Sequence, residues 1–175
     1  MRSIILLFCA SVALTAAQPV RVYLVRHAEA AGAVMGVPAP GPSLSEAGKQ
    51  RADALARTLI GAHIKQIYVS PYARTQETAA RLAAKLHLKP IVEQQDAPSQ
   101  ERIAHDVRSM PAGSAVLIVG HSNTIPGIIG QLGASPVPVI KEGEFNKLFV
   151  VTVTGNNAKL ETRSYGKATP QRAAK

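Results

Sequence analysis

The apolar residues of this chain fall into two kinds of stretch. Some are short runs of β-branched and aliphatic residues. Others repeat an apolar position every three or four residues, and the two periods mark strands and helices respectively. Residues 20–25 form a first apolar run and predict a strand. After a loop rich in Gly, Ala and Pro at 30–42, Ser45 followed by Glu46 opens a helix predicted to about Ile60, with Ala52, Leu55, Ala56 and Leu59 on one face. Residues 67–70 predict a second strand that stops at Pro71. A helix over 73–86 then shows the stripe Ala79, Leu82, Ala83 and Leu86. A short strand at 90–93, a helix at 99–110, a strongly apolar strand at 115–119 and a helix at 124–132 follow, with Pro126 tolerated in the first turn of the last. The runs 148–154 and 158–165 predict a closing hairpin across Gly155-Asn156-Asn157.

Strands that alternate with helices imply a three-layer α/β/α sandwich with a mostly parallel central sheet. Ligands of such sheets bind beyond the carboxyl ends of the strands. That rule selects four loops: Arg26-His27, the Ser70 to Arg74 turn, the stretch from Gln94 to Asp96, and Gly120-His121-Ser122.

The N-terminal segment is of a different kind. Arg2 is followed by an apolar run from Ile4 to Leu14 and then by the small residues Thr15-Ala16-Ala17. This is the layout of a signal peptide over residues 1–17, with a domain over 18–166 and a basic flexible tail over 167–175. An exported protein, periplasmic or secreted, is expected, without stable membrane insertion once the segment is cut. The sole cysteine, Cys9, would leave with it. Cysteine nucleophiles, disulfides and thiolate zinc sites are thereby excluded from the mature domain.

Charge adds one constraint. The 175 residues carry a formal charge of +9, which favours anionic ligands. The basic residues are scattered and aromatics make up only 4 %, so nucleic acid is not the expected partner.

Two arginines and two histidines in the selected loops suit phosphoryl transfer. Guanidinium forks match phosphate oxygens, a neutral imidazole is a nucleophile, and a second imidazole can donate to developing negative charge. No P-loop and no acidic cluster is present, so neither magnesium nor any other cofactor is called for.

The same residues carry a resemblance. Val22-Tyr23-Leu24-Val25-Arg26-His27-Ala28-Glu29 resembles the opening motif of the histidine phosphatase superfamily, the phosphoglycerate-mutase-like enzymes. Leu44-Ser45-Glu46-Ala47-Gly48, the segment from Ser70-Pro71 through Arg74-Thr75 to Thr78-Ala79, and Val119-Gly120-His121-Ser122-Asn123 resemble its later motifs, in the same order. The resemblance implies that His27 is the nucleophile and that Arg26, Arg74 and His121 hold the phosphoryl oxygens, with Ser70 and Ser122 beside them. Ser122 stands where the acid phosphatase branch carries aspartate, which points to the mutase-like and small-phosphatase branch. There the proton donor is a carboxylate after the third strand. Asp96 is the expected donor, ahead of Glu93 and Glu144. The expected substrate is a phosphorylated small molecule or a phosphoprotein. A phosphomutase and a non-catalytic phosphate- or phosphopeptide-binding domain are the rival readings. His63, His87 and His105 are expected at the surface.

Overall fold

The computed structural model describes residues 18–94 and 96–168. The segment expected to be a signal peptide, residues 1–17, lies outside the described residues, as does the end of the expected tail.

Ten elements follow one another: β1 (Val20–Arg26), α1 (Glu46–Leu59), β2 (Ile64–Val69), α2 (Ala73–Leu86), β3 (Ile91–Val92), α3 (Ala97–Arg108), β4 (Ala115–Gly120), α4 (Thr124–Gln131), β5 (Lys147–Thr154) and β6 (Asn157–Ser164). The sheet order is β3-β2-β4-β1-β5-β6. β1 to β4 run parallel, while β5 is antiparallel to β1 and β6 to β5. The long apolar runs in β1 and β4 have the composition of strands covered on both faces.

The strand period of two sorts the core into two layers. Val22, Leu24, Val116 and Ile118 pack with Ile103 and Val107 of α3 and Ile125, Ile128 and Ile129 of α4. Tyr23, Val25, Leu117 and Val119 pack against Leu55 and Leu59 of α1 and Ala79 and Leu82 of α2. The architecture is therefore the expected α/β/α sandwich. α1 starts where the sequence places it because the Ser45 side chain accepts from Gly48 N at 3.2 Å.

β2 begins at Ile64, earlier than the apolar run suggests. Its pairing with β4 shifts register between Ile64 and Gln66, and this bulge breaks the alternation that would mark the strand's start. The closing hairpin turns on Gly155 and Asn156, with Gly155 at φ +56°. Lys167, the first residue of the expected tail, offers its carbonyl to Arg51 NH1 at 3.0 Å. Among the described residues no helix is long and apolar enough to cross a membrane.

Candidate active site

Strand register builds the site. Arg26 lies opposite Gly120, and His27 N donates to Gly120 O at 2.8 Å, so the ends of β1 and β4 are locked side by side. Val69 lies opposite Val119, which brings Ser70 to the same corner from β2. Residues distant in sequence thus meet at the carboxyl edge of the parallel strands. His27 and His121 stand edge to face with centroids 5.3 Å apart.

His27 is only 3 % exposed. Its Nδ1 lies 2.8 Å from the carbonyl of Ala28. A carbonyl has no proton to give, so Nδ1 carries the hydrogen and Nε2 keeps its lone pair. Burial above all, with the nearby His121, Arg26 and Arg74, pushes the His27 pKa down to about 3, against the preference of the Ala28 bond for the protonated ring. The ring is neutral across the physiological range. α2 holds the segment in place, for Ala28 N donates to Thr78 Oγ1 at 2.9 Å and Thr78 Oγ1 donates to Arg74 O at 2.6 Å. A second brace comes from α1. Arg51 grips the Glu29 carboxylate with contacts of 2.7 to 3.0 Å, and the Glu29 carbonyl accepts from Ser45 N at 2.8 Å.

Two buried guanidiniums flank the histidine. Arg26 stacks on Phe145, 4.3 Å from the ring centroid, and gives NH1 to Lys141 O at 3.2 Å, while its Nε meets no acceptor among the described residues. Arg74, 5 % exposed, stacks on Tyr72 at 4.2 Å, and its Nε and NH1 meet no acceptor. Gly41, at φ +61°, lets the loop approach this head group: a Cβ there would stand 3.2 Å from Arg74 NH1. Burial lowers the pKa of both arginines, and Glu142 is the foremost carboxylate opposing that shift at Arg26.

His121 is also held low, to about 4, by burial and then by Arg74 and Arg26. Ser70 supports it from below. Ser70 is fully buried, with Oγ 2.9 Å from His121 Nε2 and 2.8 Å from Thr75 Oγ1. Thr75 Oγ1 is in turn bound to the carbonyls of Ser70 and Tyr72 at 3.0 and 2.8 Å. Ser70, whose sequence reading is a residue that caps the following turn or orders the pocket, fixes the His121 ring that faces the site. Ser122 lies half-buried next to His121.

The expected proton donor is placed otherwise. Asp96 is the N-cap of α3, exposed, with its carboxylate accepting from Ser99 N at 3.0 Å. Those bonds favour its charged form and lower its pKa. A capping carboxylate held ionised in solvent is poorly suited to give up a proton. The signal was in the sequence, since Asp-Ala-Pro-Ser is a cap followed by a first-turn proline. Glu93 pairs with Arg102 at 3.2 Å. His63, His87 and His105 are exposed.

Beyond Arg26 and His27 opens a cavity of about 880 Å³. Gly32 and Val34 line one side, and the loop 141–146 between α4 and β5 lines the other. This loop, which the strand-end rule did not select, adds Phe145 against both Arg26 and His27, the latter at 5.9 Å. Among the described residues no three His, Cys, Asp or Glu side chains gather as metal ligands.

The family model of the histidine phosphatase superfamily, branch 1, matches residues 22–96. Over these residues the chain is similar to that superfamily. The matched range holds β1 with Arg26-His27, α1 and the start of α2 with Arg74, and β4 brings His121 to the same site from outside it. Solved structures share the fold. A mycobacterial hydrolase superposes with a TM-score of 0.67 at 18% identity, covering 86% of this chain and 100% of its own. A mycobacterial glucosyl-3-phosphoglycerate phosphatase gives 0.63 at 17%, covering 85% and 99%. The protein histidine phosphatase SixA, solved with tungstate, gives 0.62 at 18%, covering 82% and 96%. At these identities the likeness is one of fold. No curated protein matches the sequence.

Proposed function

We propose that this chain hydrolyses phosphomonoesters, or phosphorylated protein side chains, through a phosphohistidine on His27. One observation carries the reading: a buried neutral imidazole with a free Nε2 lone pair stands among Arg26, Arg74 and His121, and the two guanidiniums hold buried N–H groups that meet no protein acceptor. Buried cations are costly unless an anion compensates them, and a phosphoryl group offers the oxygens that fit. The fold relatives agree in kind, since one is a glucosyl-3-phosphoglycerate phosphatase and another, a protein histidine phosphatase, was captured with the tetrahedral oxyanion tungstate.

In the first step His27 Nε2 attacks phosphorus in line with the leaving oxygen. The N–P bond forms as the P–O bond breaks, and Arg26, Arg74 and His121 hold the three equatorial oxygens. Water then attacks phosphorus, the N–P bond breaks, and phosphate leaves with His27 again neutral. The protein's own cations supply the electrostatics, so the reaction needs no metal. Export of the enzyme is part of the same proposal, on the strength of the apolar run at residues 4–14 and the small residues after it.

The test is turnover and phosphoenzyme trapping with an aryl phosphate, with and without EDTA. His27→Ala should lose both turnover and the acid-labile label while keeping the wild-type circular dichroism, and the wild type should keep its rate in EDTA. Substantial turnover by His27→Ala defeats the covalent mechanism. Loss in EDTA that a divalent ion restores defeats the metal-free one.

A further inference from the structure

The phosphatase reading leaves one participant unassigned. An alkoxide is a poor leaving group, so an alkyl phosphomonoester needs a proton donor on the side of phosphorus away from His27. The eleven Asp and Glu residues of the sequence all lie within the described residues.

Three of them line the cavity that opens from Arg26 and His27: Glu29, Glu142 and Glu144. Glu29 is gripped by Arg51 through both carboxylate oxygens and only 19% exposed, so its carboxylate is taken up in bracing the segment that carries His27. Glu144 is turned back on its own loop, where Oε2 accepts from Lys141 N at 2.9 Å. Glu142 alone of the three accepts no hydrogen bond from the protein among the described residues. It stands at the exposed rim, and it is the carboxylate that acts most strongly on Arg26.

The loop carrying Glu142 is fixed to the phosphate-binding groups. Its first residue, Lys141, receives Arg26 NH1 through the backbone carbonyl. Phe145, three residues past Glu142, packs over the same guanidinium and lies beside His27. The loop therefore takes its position from Arg26, and Glu142 is held between two anchored points at the wall of the cavity that Arg26 and His27 also line.

Resting on the phosphatase reading, we propose that Glu142, from the loop between α4 and β5, is the acid that protonates the leaving oxygen. As His27 Nε2 bonds to phosphorus and the P–O bond breaks, the Glu142 carboxyl gives its proton to the departing alkoxide. The resulting carboxylate then takes a proton from the water that attacks phospho-His27, which restores both groups.

The experiment compares an aryl phosphate with an alkyl phosphate, p-nitrophenyl phosphate and glycerol phosphate, on purified wild type, Glu142→Gln and Glu142→Asp. kcat/KM reports the step in which the leaving group departs. Glu142→Gln should lose about 100-fold or more on the alkyl ester and far less on the aryl ester. Glu142→Asp, which keeps a carboxyl, should recover part of the alkyl rate. A loss that is equal for both esters, or no loss, overturns the assignment while leaving His27 chemistry intact, because phosphoenzyme trapping reads that chemistry separately. Selective alkyl loss in Glu144→Gln or Asp96→Asn with none in Glu142→Gln overturns it equally. A wild type that turns over neither ester overturns both this assignment and the phosphatase reading.

Discussion

Acidification should destabilise this protein through His27. The His27 pKa is about 3 in the native state against 6.5 for a free side chain. Between those values the unfolded chain binds a proton that the native chain refuses, so stability rises with pH across that window. The contribution is fully present above about pH 6.5 and is lost as the pH falls toward 3. Integrating the linkage from pH 7 to pH 5 gives a loss of about 2 kcal/mol from His27 alone. His121, lowered to about 4, acts in the same direction. The two do not add in full, because the charge of His121 is one cause of the His27 shift. The assay is urea unfolding followed by circular dichroism at pH 7 and pH 5. His27→Asn is the informative variant, since its amide can still donate to the Ala28 carbonyl but cannot titrate. Wild type should lose about 2 kcal/mol more than His27→Asn between the two pH values. Equal losses in the two proteins would refute the claim that His27 is held neutral by burial.

Two further outcomes follow from local geometry and sequence. Gly48→Ala should destabilise by about 3 kcal/mol in urea unfolding, at the upper end for overpacking, because its Cβ would collide with the backbone carbonyl of Glu29, two residues from the nucleophile, and no side-chain rotation relieves that; wild-type stability would contradict the packing argument. N-terminal sequencing of the protein isolated from its native host should read from Gln18, and an intact Met1 on soluble cytoplasmic protein would rule out export.

Most of the fold was legible in the sequence because its signals are local. The strands β1 and β4 are continuous apolar runs, α1 and α2 repeat their small apolar residues at helical spacing, and Ser45 caps the helix it opens. His27 and the arginines beside it were legible for the same reason, since a motif is a short stretch and the strand-end rule says where it faces. Asp96 shows where that reasoning stops. Its place after the third strand suggested a donor, while the residues after it made it a helix cap, and the backbone's need for an N-terminal acceptor took the side chain.

By itself the sequence determined which residues to look for at the site, because local periodicity and the strand-end rule place Arg26, His27, Arg74 and His121 at the carboxyl ends of strands. Tertiary structure decided what stands around them. The packed domain sets Ser70 Oγ against His121, folds Arg51 of α1 onto Glu29, and lays the loop 141–146 across Arg26. Glu142 has no motif of its own, and its neighbours in sequence are turn residues that say nothing of a distant histidine. It reaches the cavity because β5 pairs antiparallel with β1, and the chain entering β5 must then pass over the end of β1 where His27 sits. Contacts of that kind depend on which strands become neighbours, a choice made by packing the whole sheet between its two helical layers, and no short stretch of residues records it.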